Sequence, residues 1–236
     1  MDNRMHLTPR LRAILELVPD GARLADIGTD HALIPVALLR RGTITGAIAS
    51  DIGEGPLESA ARTARQFGVS GAVSLRLGAG LRTVQPQEAD TIVIAGMGGE
   101  TIIGILREDP WALDGIHLLL LQAMTGQAEL RQYLYAQGGA IEQEVICREG
   151  RRMYSVMAVR GGGERKDRPL AECCVSEALC RDKLAADYLG QKLTREQTIC
   201  AALESAQKQK PEELALHRGY ARTLRAALER IAEGTR

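Results

Sequence analysis

Between residues 23 and 159 short apolar segments alternate with stretches of helical periodicity, and this alternation constrains the fold more than any other feature. Strands are predicted at 23–27, 47–50, 73–77, 90–95 and 117–122. Helices are predicted between them, at 34–40, 56–66 and 101–106, and again at 129–137. Strands separated by helices give an α/β fold with a mostly parallel sheet and helices on both faces. Two further strands, 141–147 and 154–159, are joined only by the polar turn Glu149-Gly150-Arg151. A parallel crossover needs a dozen or more residues, so these two form a hairpin and one of them runs antiparallel.

The ends of the chain read differently. Residues 8–17 place Leu11, Ile14, Leu15 and Val18 on one helical face, with Thr8 as N-cap and Pro9 in the first turn. Pro19-Asp20-Gly21 breaks that helix. Residues 161–167, rich in glycine and charge, read as a linker. Beyond it helices are predicted at 195–208 and 212–232, with Pro211 between them. In the last helix Ala221, Leu224, Leu228 and Ile231 form a narrow apolar seam, as in a coiled-coil hairpin. Two domains follow, 1–160 and 161–236.

Composition excludes several classes. Aromatic residues make up only 3% of the 236, so no aromatic base-stacking platform can be built. Formal net charge is zero, which does not by itself suggest RNA. Arginines do gather locally: Arg151, Arg152, Arg160 and Arg165 in one stretch, Arg218, Arg222 and Arg225 in another. Either group is a solvated surface or a phosphate grip. The five cysteines include no CxxC pair and no histidines at zinc spacing, so free thiols in a reducing cytoplasm and no metal are expected. The longest strongly apolar run, Leu118 to Leu121, is far too short to cross a bilayer, and the N-terminus has no signal-peptide core.

In an open parallel sheet ligands bind at the carboxyl ends of the strands. The loop after the first strand is Asp26-Ile27-Gly28-Thr29-Asp30-His31. A dinucleotide site would want Gly-x-Gly-x-x-Gly there, so that amides could cradle a pyrophosphate. One glycine and two carboxylates would instead repel phosphate and attract a cation. S-adenosylmethionine (SAM) carries a sulfonium and an ammonium, so the charge pattern favours it over NAD. The bland alternative is a capped turn with Asp30 as N-cap. After the second strand, Asp51 can accept the ribose hydroxyls of any nucleoside cofactor, or simply open a helix. After the fourth strand, Ala95-Gly96-Met97-Gly98-Gly99 holds more glycines than a turn requires. The layout as a whole is analogous to the class I methyltransferase sheet.

These motifs also resemble a known family. The stretch from Asp26 to Pro35, Gly46-Ala47-Ile48-Ala49, Gly55-Pro56, Ile94-Ala95-Gly96-Met97-Gly98-Gly99 and Leu121-Gln122 are similar to those of the bacterial tRNA (adenine22-N1)-methyltransferases, the TrmK family. The resemblance runs over about residues 7–160. It implies a Rossmann-like catalytic domain, a coiled-coil-like helical domain, SAM as cofactor and tRNA as partner. It implies cofactor contacts at Asp26, Gly28, Asp51, Ile52 and the strand-four loop, Ala95, Gly96 and Met97. Cofactor contacts are also expected at His31, Gly78, Ala79 and Gly80, and substrate contacts at Gly98, Gly99, Gln122 and Tyr154. Asp30 is implied as the catalytic residue. Two departures stand out. The family's Gly-Asp-Gly-Leu is Gly78-Ala79-Gly80-Leu81 here, which removes a carboxylate for the cofactor's adenine amino group. After Gln122 the family's Pro-Asn is Ala123-Met124.

The expected reaction is methyl transfer to N1 of an adenine at position 22 of tRNA, in the cytoplasm, by a chain for which a monomer is preferred. Two other readings remain open: a non-catalytic tRNA- or SAM-binding paralogue, suggested by Ala79, and a small-molecule methyltransferase. The helical hairpin and the arginine groups are expected to hold tRNA phosphates.

Overall fold

The structure, a computed structural model of the chain, describes residues 5–234; residues 1–4 and 235–236, the outer ends of the two expected domains, lie outside the described residues. In chain order the elements are α1 (Pro9–Leu15), β1 (Leu24–Ile27), α2 (Leu33–Arg41), β2 (Ala47–Asp51), α3 (Glu54–Gln66), β3 (Val73–Leu77), β4 (Thr91–Gly98), α4 (Gly99–Glu108), β5 (Leu118–Thr125), α5 (Gln127–Ala136), β6 (Ala140–Glu149), β7 (Arg152–Arg160), α6 (Ala185–Ser205) and α7 (Pro211–Gly234). Seven strands form one sheet in the order β3-β2-β1-β4-β5-β7-β6. β1 to β5 run parallel, and β7 is antiparallel to both β5 and β6. The winding reverses between β1 and β4, which creates the crevice where such sheets bind ligands.

Why β4 and β5 carry the unbroken apolar runs Ile92–Ala95 and Leu118–Leu121 follows from their place in the sheet. Ile92 and Ile94 pack with Leu119, Leu121, Ile102, Leu106 and Leu130 on one face. Val93 and Leu120 pack with Ile14, Leu15, Leu24 and Leu38 on the other. A strand covered on both sides has no polar face to alternate with. α1 belongs to this second layer, capped at Thr8, whose hydroxyl accepts a bond from Leu11 N at 3.4 Å.

Several features differ from expectation. β4 runs on through the glycine loop to Gly98, with register shifts around Met97, and α4 therefore starts at Gly99 rather than near residue 101. The hairpin strands are longer than predicted, pivoting on Gly150 at φ 59°. α6 starts at Ala185 instead of 195, because Ala185, Tyr188 and Leu189 form a buried face that charged neighbours obscured. The 161–167 stretch is pinned rather than free: Gly163 N donates to Gly138 O and Lys166 N to Tyr135 O, each at 2.9 Å. Gly161 lies against the Leu113 backbone with no room for a Cβ.

The helical region docks on the hairpin edge of the sheet. Ile146 and Met153 pack with Tyr188, Leu189, Leu224 and Ala227. Beneath this contact Arg131 of α5 and Glu144 of β6, both fully buried, form a fork at 2.6 and 3.3 Å. Arg131 also donates to the Cys173 and Cys174 carbonyls, at 3.2 and 3.3 Å. Ser176 Oγ donates to Glu144 at 2.6 Å and accepts from Leu179 N at 2.9 Å.

The first arginine group is split by the strand directions. Because β7 is antiparallel, Arg152 sits at the carboxyl-end edge of the sheet and Arg160 at the opposite edge, where it pairs with Glu142 at 3.5 Å and donates to Ile116 O. In the second group Arg218 is paired with Glu204 at 2.8 Å.

Candidate active site

A cavity of about 300 Å³ opens at the carboxyl ends of β1 and β4. Asp26, Gly28, Asp30, His31, Ala95 and Gly96 line it, as expected, together with Arg10 from α1. Asp51 ends β2 with Ile52 after it, and Gly78, Ala79 and Gly80 follow β3, at the same carboxyl-end rim of the sheet but outside the cavity lining.

The loop after β1 is built to leave carboxylates facing the cavity. Gly28 adopts φ 75°, and a Cβ there would run into the methyl of Met97. Gly28 N and Thr29 N both donate to Ser50 O, at 2.8 and 3.0 Å. Those amides are therefore tied to β2 and cannot cradle a phosphate. Thr29 Oγ1 donates to Asp26 at 2.6 Å and accepts from Ala32 N at 3.1 Å. Thus Thr29 does the work at the head of α2 that Asp30 was weighed for. Ala32, the N-cap itself, is the one non-glycine residue with positive φ among the described residues. Asp30 is left exposed, and among the described residues its carboxylate meets only His31, at 3.3 Å.

Asp26 is almost fully buried, and burial raises its pKa from 3.8 to about 6, opposed by the Thr29 hydrogen bond and reinforced by the nearby Asp51 charge. A buried carboxylate with one neutral donor lacks a cationic partner, and such groups cluster at functional sites.

Arg10 is a cavity residue that sequence reasoning missed. Its guanidinium donates to Gln122 Oε1 at 2.8 Å and lies 5.8 Å from the Tyr154 ring centre. Its backbone N donates to Glu149 at 2.8 Å. Only its position one residue after a helix-opening proline hinted at a fixed orientation. Gln122 is completely buried; its oxygen also accepts from Gly96 N at 3.1 Å. It holds Arg10 and the Gly96 loop in place, and Gly96 takes φ 80° there.

The remaining glycines divide. Gly99 is glycine because a Cβ would strike the Gly126 backbone, a packing reason. Gly98 faces Thr125 Oγ1, which a Cβ would meet at 3.3 Å. Gly78 is crowded by Thr83, and Gly80, at φ 56°, by Ile105. Ala79 is extended and exposed at the rim. Ile52 is 76% exposed and Leu77 54%, two apolar side chains flanking that rim.

A sheet of this order with an acidic, phosphate-refusing loop at its switch point defines a Rossmann-like methyltransferase. A methyltransferase-domain family matches residues 7–157. The chain is 38% identical over 160 residues to the tRNA (adenine(22)-N(1))-methyltransferase of Bacillus subtilis strain 168, covering 68% of this chain and 67% of that one. The crystal structure of the B. subtilis m1A22 tRNA methyltransferase TrmK is similar with a TM-score of 0.83 and 30% identity, over 95% of this chain and all of that one. Streptococcus pneumoniae Sp1610, solved in complex with S-adenosyl-L-methionine, is similar with a TM-score of 0.80 and 27% identity, over 94% of this chain and all of that one. The chain belongs to the tRNA (adenine(22)-N(1))-methyltransferase family.

Proposed function

We propose that the protein methylates N1 of adenine 22 in tRNA, using SAM. The observation that carries this is one cavity joining a buried carboxylate, an exposed carboxylate and a fixed arginine at the switch point of the sheet. The residues fit the cofactor in charge. Asp26 and Asp51 suit a ligand that carries cationic groups and ribose hydroxyls. Arg10 suits its carboxylate, since it is the one arginine or lysine lining the cavity. Ile52 and Leu77 offer apolar cover for a nucleobase, and Ala79 offers no carboxylate to its amino group. When bound, SAM supplies a methyl group on a cationic sulfur.

Adenine N1 has an in-plane lone pair, so the protein's task is positioning more than proton removal. N1 lies on the Watson–Crick edge, so the base must leave its partner to be reached. Asp30 accepts a hydrogen bond from the exocyclic amine and stabilises the charge that the base acquires. His31 steadies the Asp30 carboxylate. Gln122 acts by holding Arg10 and Gly96, while Gly98 and Tyr154 border the base. On this reading the protein works in the cytoplasm alongside its tRNA.

The test is radiolabelled methyl transfer to bulk unmodified tRNA, followed by mapping of the modified base. Label on adenine 22 at N1 is expected; label on another base, or none, contradicts the reading.

A further inference from the structure

A second cavity, about 370 Å³, lies between the end of β5 and the first half of α6. Its walls include Met124, Gln127, Met153, Tyr188, Lys192 and Arg195, and no acidic residue lines it. Met124 is 39% exposed, although methionine is usually buried. Lys192 Nζ sits 5.0 Å from the Tyr188 ring centre and 3.5 Å from Gln127 Oε1. Neither Lys192 nor Arg195 has a carboxylate partner among the described residues. Two of the acids nearby are already paired. Glu196 is paired with His217 of α7 at 2.6 Å, and Asp187 with Arg148 at 2.8 Å. Arg151 and Arg152 are exposed beside Met153, on the same edge of the sheet. The adjoining depression toward α7 shares Gln127, Lys192 and Arg195 with this cavity and is lined on its far side by Glu129 and Glu196, so the two cations stand between an acidic wall and an acid-free one.

This cavity is linked to the first. Gln122 Nε2 donates to Met124 Sδ at 3.6 Å, while Gln122 Oε1 binds Arg10 and Gly96. One buried side chain thus spans from the wall of one cavity to the wall of the other.

We propose that this second cavity holds the sugar-phosphate backbone of the substrate RNA next to the target base, with Lys192 and Arg195 on phosphate and Met124 and Met153 under the sugar or base. The proposal rests on the RNA-methyltransferase reading and adds where the strand runs. Unpaired cations beside an apolar floor suit a polyanion with exposed bases and no other common ligand as well. A neutral small substrate would not need them. The catalytic edge, and not the outer face of the α6–α7 hairpin, is then the principal phosphate grip.

The experiment measures tRNA binding by fluorescence anisotropy across a salt series, alongside methyl transfer and SAM calorimetry. The variants are Lys192→Glu, Arg195→Glu, the double change, and the milder Lys192→Gln with Arg195→Gln. All alter exposed or half-exposed helix positions. The double reversal should weaken tRNA binding and raise the tRNA KM at least about tenfold. kcat and SAM affinity should stay within about twofold. The slope of log affinity against log salt should fall by about one for each cation removed. Arg65→Glu, exposed on α3, should change none of these. Unchanged tRNA binding and salt slope in the double variant overturns the proposal. So does an equal loss of SAM affinity. Intact tRNA binding with no methylation by the parent chain overturns the reading of activity and leaves the grip standing.

Discussion

Among the described residues two carboxylates are buried, and they are treated in opposite ways. Glu144 is enclosed with Arg131, which holds it with a two-pronged fork, and Ser176 donates a further bond. Burial works against the Arg131 charge, yet the Glu144 carboxylate more than offsets it and drives the guanidinium's pKa up. Asp26 has only the Thr29 hydroxyl, with Asp51 nearby to repel it. Both charges carry a desolvation cost. In one place it is met inside the fold, at the junction of sheet and helices. In the other it is left for a ligand. A buried charge fully paired is architecture; one at a cavity wall with no cation bonded to it is, on the proposed reading, a binding site.

The largest expected effect lies at the paired site. Glu144→Ala leaves Arg131 buried and uncompensated, and should cost about 3–5 kcal/mol in denaturant unfolding. The double change Arg131→Met with Glu144→Leu should recover part of that loss. If Glu144→Ala were neutral, the contrast between the two carboxylates would collapse.

At the unpaired site the sign reverses. The Asp26 pKa is raised in the folded state, so the fold gains from protonation and loses stability as pH rises from about 4 through about 6. Above that range an ionised Asp26 costs the ligand-free protein about 3 kcal/mol. Asp26→Asn should therefore stabilise the ligand-free protein at pH 8 by about 1–3 kcal/mol, read by thermal or chemical unfolding. The same variant should bind SAM at least about tenfold more weakly by calorimetry. A variant both less stable and unchanged in affinity would remove Asp26 from the site.

A smaller effect follows in the parent protein. A cationic ligand prefers the ionised carboxylate, so SAM affinity should fall about fourfold between pH 7.5 and 5.5. In Asp26→Asn this dependence should flatten. Smaller still is the rim. Ala79→Asp restores a carboxylate where the family has one, and a gain of a few-fold in SAM affinity is expected from one added hydrogen bond. No gain would mean that the adenine lies elsewhere along the rim.

Much of this was legible in the chain. The five parallel strands and the closing hairpin follow from apolar runs whose spacing leaves no other sheet. Asp26, Gly28, Asp30 and Gly96 stand together at one cavity because they lie at strand ends, and strand ends converge by topology. What was hidden depends on packing across the chain. Arg10 reads as one more charge on an amphipathic helix until Gln122, 112 positions away, takes its guanidinium. Gln122 reads as a substrate contact until the sheet encloses it. Gly99 looks functional beside two other glycines, yet its reason is the Gly126 backbone. Arg152 and Arg160 are near neighbours in sequence but sit at opposite edges, because one strand carries both.

The central claim is that one loop divides its labour, Asp26 toward the cofactor and Asp30 toward the reaction. It is tested most directly by Asp30→Asn, assayed for methyl transfer to tRNA and for SAM binding on the same preparation. The expected result is SAM affinity within about twofold of the parent and a fall in kcat of about a hundredfold. Full turnover in Asp30→Asn with unchanged SAM affinity would contradict the account.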